Sequence, residues 1–342
     1  MSIITLNTRI MRNLARAVLM ASICIRRPGK RVEVWLDLQL SAEDHDSLQT
    51  AIQEENAKLG DYYRIYAEKK WIASALRGFD RTRLLCIARS IDQTDYSLLT
   101  STLKHGKGAV IALPHYGHYI ISAINLMDHV RERRDVFMLY GSPKNHPGNE
   151  LFDVLSPILF GERNSGAQVL HSDARGLATA LRALRAGAVV ITMPDVCPDE
   201  HHAFMIPFLK RQLEIPLGTA SLARRSGAAL IPAISCCEGT LRVRTIFGCH
   251  VQTETPRQSE RQECSQANDY RSTMEMFDFF ESVIKDNPLH WQYVIQHYGS
   301  GSSFPTSEPS ELEATWQYLQ ASNPLLRNRD IAIALDTQDA WQ

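Results

Sequence analysis

The 342-residue chain lacks most features that assign a protein at a glance. Neither charge sign dominates: 37 Lys and Arg stand against 38 Asp and Glu, for a formal net charge of -1. That balance argues against nucleic-acid binding through bulk electrostatics. The seven cysteines show no framework spacing. Cys236 and Cys237 sit side by side in an apolar run, as free buried thiols often do. A reducing cytoplasm is the expected compartment. There is no Gly-x-Ser-x-Gly elbow, no phosphate-loop signature and no Gly-x-Gly-x-x-Gly fingerprint. Internal repeats and low-complexity blocks are absent as well.

Long hydrophobic runs are also missing. The stretch from Asn13 to Ile25 is apolar, but Arg16 interrupts it and it falls short of the roughly 18 residues of a spanning helix. Arg9, Arg12, Arg26 and Arg27 flank it. The pattern suits an amphipathic helix on an anionic membrane surface, and equally a helix packed on the domain.

What is present is alternation. Ser41-Ala42-Glu43-Asp44 resembles a capping box, and helical periodicity follows to about 77 and again over 79–104. Short apolar runs at 108–113, 135–140, 167–170, 188–193, 228–235 and 240–247 then alternate with helical patterns at 117–130, 147–159, 173–186 and 216–226. In the 173–186 helix, Leu177, Ala180, Leu181 and Leu184 are expected to form one apolar face. A polar loop at 249–266 precedes a further helix at 267–286. This is the pattern of an α/β fold: a mostly parallel sheet with helices on both faces. The expected organisation is an N-terminal helix and lead-in over 1–40, one α/β domain over 41–298, and a linker with a helical tail over 299–342.

Three segments carry candidate chemistry. In Leu113-Pro114-His115-Tyr116-Gly117-His118-Tyr119, a histidine stands where a buried strand ends and a helix begins. That carboxyl edge of an open α/β sheet is where ligands bind, although the same position suits a plain helix cap. Met193-Pro194-Asp195 follows another buried strand and leads into Cys197, His201 and His202. Asp195 is the first polar group past that strand, so it is either a partner for His115 or a turn residue. The Cys197, His201 and His202 group lacks a complete tetrahedral ligand set, and no metal is expected. In the third segment, Phe204 to Phe208 precedes Lys210 and Arg211. These residues suit an apolar groove with a cationic mouth for a phosphate head group, or a strand with an exposed basic turn.

Taken in order, these pieces resemble the lipid A biosynthesis acyltransferases of the lysophospholipid acyltransferase superfamily. His115-Tyr116-Gly117-His118-Tyr119-Ile120 is similar to the family's first motif, and Val189 to Asp195 to its strand ending in Asp. Met205-Ile206-Pro207-Phe208, Pro216-Leu217-Gly218, Ala223 to Pro232, and Pro288-Leu289-His290-Trp291 resemble its later segments. The match covers about 40–298.

The resemblance implies acyl transfer from a thioester on acyl carrier protein or coenzyme A to a hydroxyl or amine, with no cofactor. It implies His115 as general base. The family's acid falls on Ile120 here, and isoleucine cannot orient an imidazole. Asp195 is the candidate replacement; otherwise the histidine works unassisted, or acyl transfer has been lost. An amine acceptor would ease the lack of the acid at Ile120, because a neutral amine is already nucleophilic, so a small-molecule or amine acceptor is expected ahead of a lipid sugar. The family's membrane-spanning N-terminus is also weak in this chain, which leaves a cytoplasmic protein with at most peripheral membrane contact. The expected site is thus His115 and Asp195 as catalytic residues, with His118, Tyr119, Arg163, Phe208, Lys210 and Arg211 toward substrate, and amides at the start of the 117–130 helix toward the oxyanion. A hydrolase built on the 195–202 loop and a non-catalytic lipid-binding paralogue are the alternatives.

Overall fold

The computed structural model describes residues 42–57, scattered positions within 59–72, and then 81–104, 108–141, 167–196, 204–239, 242–251, 253 and 262–299. The expected helix at 147–159, Arg163, the cluster Cys197, His201 and His202, the N-terminal stretch and the tail beyond 299 lie outside those residues.

The helices are α1 (Ala42–Glu54), α2 (Arg81–Ile91), α3 (Ser97–Leu103), α4 (Tyr119–Arg131), α5 (Ala174–Arg185), α6 (Gly218–Ser226), α7 (Gln262–Ile284) and α8 (Val294–Gly299). The strands are β1 (Ala109–Ala112), β2 (Val136–Tyr140), β3 (Ala167–His171), β4 (Val189–Thr192), β5 (Phe204–Phe208), β6 (Arg211–Ile215), β7 (Ala229–Cys237) and β8 (Val243–Phe247). Six strands form one sheet in the order β3-β2-β4-β1-β7-β8. All neighbours pair in parallel except β8, which runs antiparallel to β7 at the edge.

The central strands are apolar throughout because they are covered on both faces. Every residue of β1, β2 and β4 is buried. Successive side chains alternate between faces, so two cores form. Val110, Ala112, Phe137, Leu139 and Val190 face a cluster built with α5, α6, α7 and α8. Ala109, Ile111, Val136, Met138, Val189 and Ile191 face a second cluster with α2, α3 and α4.

Several expected elements differ in detail. The helical stretch to 77 breaks after α1, at Asn56 with φ 50°. The stretch 79–104 is two helices, α2 and α3, separated by a segment in which Asp92 accepts from Thr94 and Tyr96. Leu177 does not join the apolar face of α5; it is exposed, while Ala180 and Leu184 are sealed. The third segment forms a separate β5–β6 hairpin. Its two-residue turn, Leu209 and Lys210, holds both residues at positive φ. Such a turn normally takes Asn-Gly or Gly-Gly. Here Leu209 is buried and its amide donates to Glu281 Oε1 at 2.9 Å, which holds the turn from outside the hairpin. No helix among the described residues is long and apolar enough to cross a membrane.

Candidate active site

The site is laid out by strand register. β1 and β4 are parallel neighbours, with Ala112 opposite Thr192. The Leu113 amide extends the ladder to Thr192 O at 2.9 Å. Each strand then runs through a proline, Pro114 or Pro194, which cannot donate a further rung. The next residue on one side is His115 and on the other is Asp195. The two meet: His115 Nδ1 donates to Asp195 Oδ1 at 2.8 Å, and the His115 amide donates to Oδ2 at 2.8 Å.

A third donor reaches the same carboxylate. Trp291 Nε1 bonds Asp195 Oδ2 at 2.9 Å. Trp291 is fully buried and packs against Phe208 and His297 at ring separations of 5.1 and 5.2 Å. Burial opposes charge on Asp195. The His115 side chain, the indole and the His115 amide outweigh it and hold the carboxyl below its usual range. Asp195 is therefore an anion fixed by three donors, and it sets His115 with Nδ1 protonated and Nε2 free to accept. Nε2 has no partner among the described residues.

The segment 290–292 clamps the histidine loop. Tyr116 and Trp291 form an antiparallel bridge. The Gly117 amide donates to His290 O at 3.1 Å, and the Gln292 amide to His115 O at 2.9 Å. Gly117 has φ +55°, and a Cβ there would lie 2.1 Å from Ser235 O on β7. Only glycine satisfies both conditions. Two tyrosines stand edge-on to His115, Tyr119 at 4.7 Å and Tyr293 at 5.2 Å between ring centroids.

Behind the loop lies a second histidine–carboxylate pair. His118 Nε2 donates to Glu68 Oε2 at 2.7 Å, and both side chains are sealed. Burial pushes the imidazole down, but the Cys237 sulfur and Glu68 push it further up, to about 9. Lys69 Nζ donates to His290 O at 3.2 Å, and burial lowers its ammonium to about 8 against the pull of Cys237 and Asp195. Burial, with the positive charges of Arg64, Lys69 and His118, pushes His290 down to about 3 and keeps it neutral.

The expected site residues therefore separate. His115, Asp195 and Tyr119 come together. His118 was expected toward substrate but has no exposed side chain, so it supports the loop from behind. Phe208 was expected along a groove but is 2% exposed, packed on Phe277 and Trp291. Lys210 and Arg211 were expected at a cationic mouth. Instead Lys210 Nζ bonds Glu54 O at 3.1 Å, and Arg211 is buried with Nη2 on Glu54 Oε1 at 2.6 Å and its guanidinium over the Tyr298 ring. Both cations meet the end of α1, Arg211 buried and Lys210 with its side chain still largely exposed. Of the helix-start amides, Gly117 is taken by His290 and Ile121 and Ser122 by His118 O, whereas those of His118, Tyr119 and Ile120 have no partner among the described residues.

Glu68, Lys69, Trp291 and Tyr293 were not singled out by role in the sequence. Only Trp291 had a signal, as the last residue of Pro288-Leu289-His290-Trp291. Among the described residues no cluster of three or more His, Cys, Asp or Glu is arranged to hold a metal ion.

A family model described as bacterial lipid A biosynthesis acyltransferase matches residues 84–298. That span contains His115, Asp195 and Trp291, and begins after Glu68 and Lys69. No curated protein matches the chain.

Proposed function

Because the chain belongs to the bacterial lipid A biosynthesis acyltransferase family, and is on that ground an acyltransferase with an acyl donor and an acceptor, we propose that it takes the acyl group from a thioester and uses His115 as general base. The observation that carries this reading is the His115–Asp195 pair, with Nδ1 held at 2.8 Å and Nε2 without a partner among the described residues.

The step balances on these groups. Nε2 accepts the proton of an acceptor O–H or N–H as that atom attacks the thioester carbonyl carbon. The new C–O or C–N bond forms, and the carbonyl pair moves onto oxygen. Asp195 stabilises the resulting imidazolium without taking the proton. Collapse breaks the C–S bond, and the leaving thiolate recovers the proton from Nε2. The donor is a thioester of coenzyme A or of acyl carrier protein. The preference for an amine acceptor rested on an unassisted histidine; with Asp195 in contact, a hydroxyl acceptor is equally within reach of the base. The place of action is the cytoplasm or the adjoining membrane surface, where acyl acceptors of lipid character are found.

The test uses the full chain with dodecanoyl-coenzyme A and dodecanoyl acyl carrier protein, following thiol release and acylated product by mass with hydroxyl and amine acceptors. Thiol release that is lost in His115→Ala supports the reading. Binding of the acyl chain without release of thiol in the presence of any acceptor favours the lipid-binding alternative. Release to water alone favours the hydrolase.

A further inference from the structure

Three backbone donors around the reacting base are already engaged, while the amides of His118, Tyr119 and Ile120 at the start of α4 have no partner among the described residues. The His115 amide bonds Asp195, the Tyr116 amide bonds Pro114 O at 2.7 Å, and the Gly117 amide bonds His290 O. The Trp291 indole is spent on Asp195. An acyl transfer at His115 develops negative charge on the carbonyl oxygen, and a preorganised donor for that charge is usually a large part of catalysis. Two side chains in ring contact with His115, Tyr119 and Tyr293, carry phenol donors.

These phenols arrive from two directions in the chain. Tyr119 opens α4, one turn past His115, and Tyr293 lies in the turn between Trp291 and α8. Both rings meet His115 edge-on, with interplanar angles of 63° and 71°. Both residues are half-buried. Neither hydroxyl has a hydrogen-bond partner among the described residues, and neither is sealed from solvent. Burial, then the Asp195 carboxylate, raise both phenols well above their ordinary range and keep them as donors. The Tyr293 phenol also feels that of Tyr119, so the two oxygens lie within electrostatic reach of one another.

We infer that the hydroxyls of Tyr119 and Tyr293 are the hydrogen-bond donors that hold the carbonyl oxygen of the acyl donor as it becomes an oxyanion. Unpartnered donors beside a fixed base match that task, because they need no reorganisation when the charge forms. The inference rests on the reading of His115 as the base for acyl transfer, and the test separates the two.

Tyr119→Phe and Tyr293→Phe, singly and together, are compared with the full chain and with His115→Ala. Thiol release from dodecanoyl-coenzyme A gives kcat and KM. Equilibrium binding of dodecylphosphonate, against dodecanol as the uncharged control, gives affinity for an anionic head on the same tail. Each Phe variant is expected to lower kcat by about 10²-fold with KM nearly unchanged. The double variant is expected to bind dodecylphosphonate about tenfold more weakly or worse, with dodecanol unaffected. Full kcat in the double variant beside an inactive His115→Ala overturns the inference and leaves His115 as the base. A raised acceptor KM with unchanged kcat also overturns it, because the phenols then hold the acceptor. Full turnover in His115→Ala overturns the underlying reading instead. If the full chain does not turn over this thioester, phosphonate binding decides, and equal affinity in the full chain and the double variant overturns the inference.

Discussion

His115 and Asp195 are 80 residues apart in the chain, and so are all the paired residues of β1 and β4, from Ala109 with Val189 to Ala112 with Thr192. The two catalytic candidates are register partners carried past the end of the ladder. Parallel strands of equal length, each followed by two residues ending in proline, deliver both side chains to one point on the carboxyl edge. The pairing is therefore built into the core: a slip of either strand by one residue would reverse its buried faces and part the two groups together.

His115→Ala is expected to fold and to lose about 10²–10⁴-fold in acyl transfer. Asp195→Asn is expected to lose a comparable amount and also to lose stability. Its carboxylate accepts from the His115 ring, the His115 amide and Trp291, and an amide offers one acceptor atom and brings its own N–H into that cluster. Turnover with the authentic donor and acceptor, with thermal unfolding alongside, checks both. Full activity in Asp195→Asn would remove Asp195 from the mechanism.

The sheet and the position of His115 at its carboxyl edge were legible because local pattern decides them. Leu113-Pro114-His115 and Met193-Pro194-Asp195 have the same form and follow strands of the same character, so both could be placed on one edge. The β5–β6 turn was not legible. Leu209 and Lys210 carry no signal for positive φ, and what holds them is Glu281 on a distant helix. The same limit hid the fate of the cations. Lys210 and Arg211 look free in sequence, but Glu54 and Glu55 reach them from more than 150 residues away. His118 looked like a site residue because it sits beside one, and only Glu68 behind it shows that the ring points inward.

Trp291→Phe is expected to weaken Asp195 as an anion. The carboxyl titrates below its ordinary 3.8 in the folded chain. It therefore contributes stability above that value, and the contribution is lost as pH falls through the folded value. Removing the indole donor raises the folded value and shrinks the contribution. A buried charge short of one donor costs about 1–3 kcal/mol. Unfolding free energy measured between about pH 1.5 and 5 should show a smaller acid-side loss in the variant than in the parent. An identical pH dependence would mean that the Trp291–Asp195 bond does not hold the carboxylate.

Glu68→Gln is expected to flatten an alkaline loss of stability. His118 goes from an ordinary 6.5 to about 9 in the folded chain. A raised value means stability that is fully present below 6.5 and lost as pH rises through about 9. With both side chains sealed, the span is on the order of 3 kcal/mol. Removing the Glu68 charge should remove part of it. Comparing the two proteins at each pH cancels the titration of Lys69, which runs the other way. If the difference between parent and variant stays constant from about pH 6 to 10, His118 is not charged by Glu68.

Gly117→Ala and Gly227→Ala form a matched pair. Both glycines have positive φ, +55° and +71°, so each alanine carries a backbone cost of about 1–2 kcal/mol. The added methyl at 227 meets nothing within 4 Å, whereas at 117 it falls 2.1 Å from Ser235 O. Gly227→Ala should lose only the backbone cost. Gly117→Ala should lose several times more, or displace the histidine loop and with it acyl transfer. Equal melting temperatures for the two variants would show that the loop moves away from β7 without penalty.

Ile120→Glu restores an acid at the position where the resembling family carries one. It is expected to gain no activity. Nδ1 of His115 is already committed to Asp195 at 2.8 Å, and a second carboxylate near the same ring would face Asp195 as a like charge. Ile120 also packs against the apolar cluster of α2, α3 and α4. Replacing it costs apolar contact and leaves a partly desolvated charge, together about 1–3 kcal/mol. The measurement is acyl transfer and urea unfolding of Ile120→Glu, alone and with Asp195→Asn. A rise in turnover for the single variant would show that Asp195 supports His115 incompletely. Recovery in the double variant would show that position 120 can still reach the imidazole, so the site accepts a carboxylate either from the start of α4 or from the loop after β4.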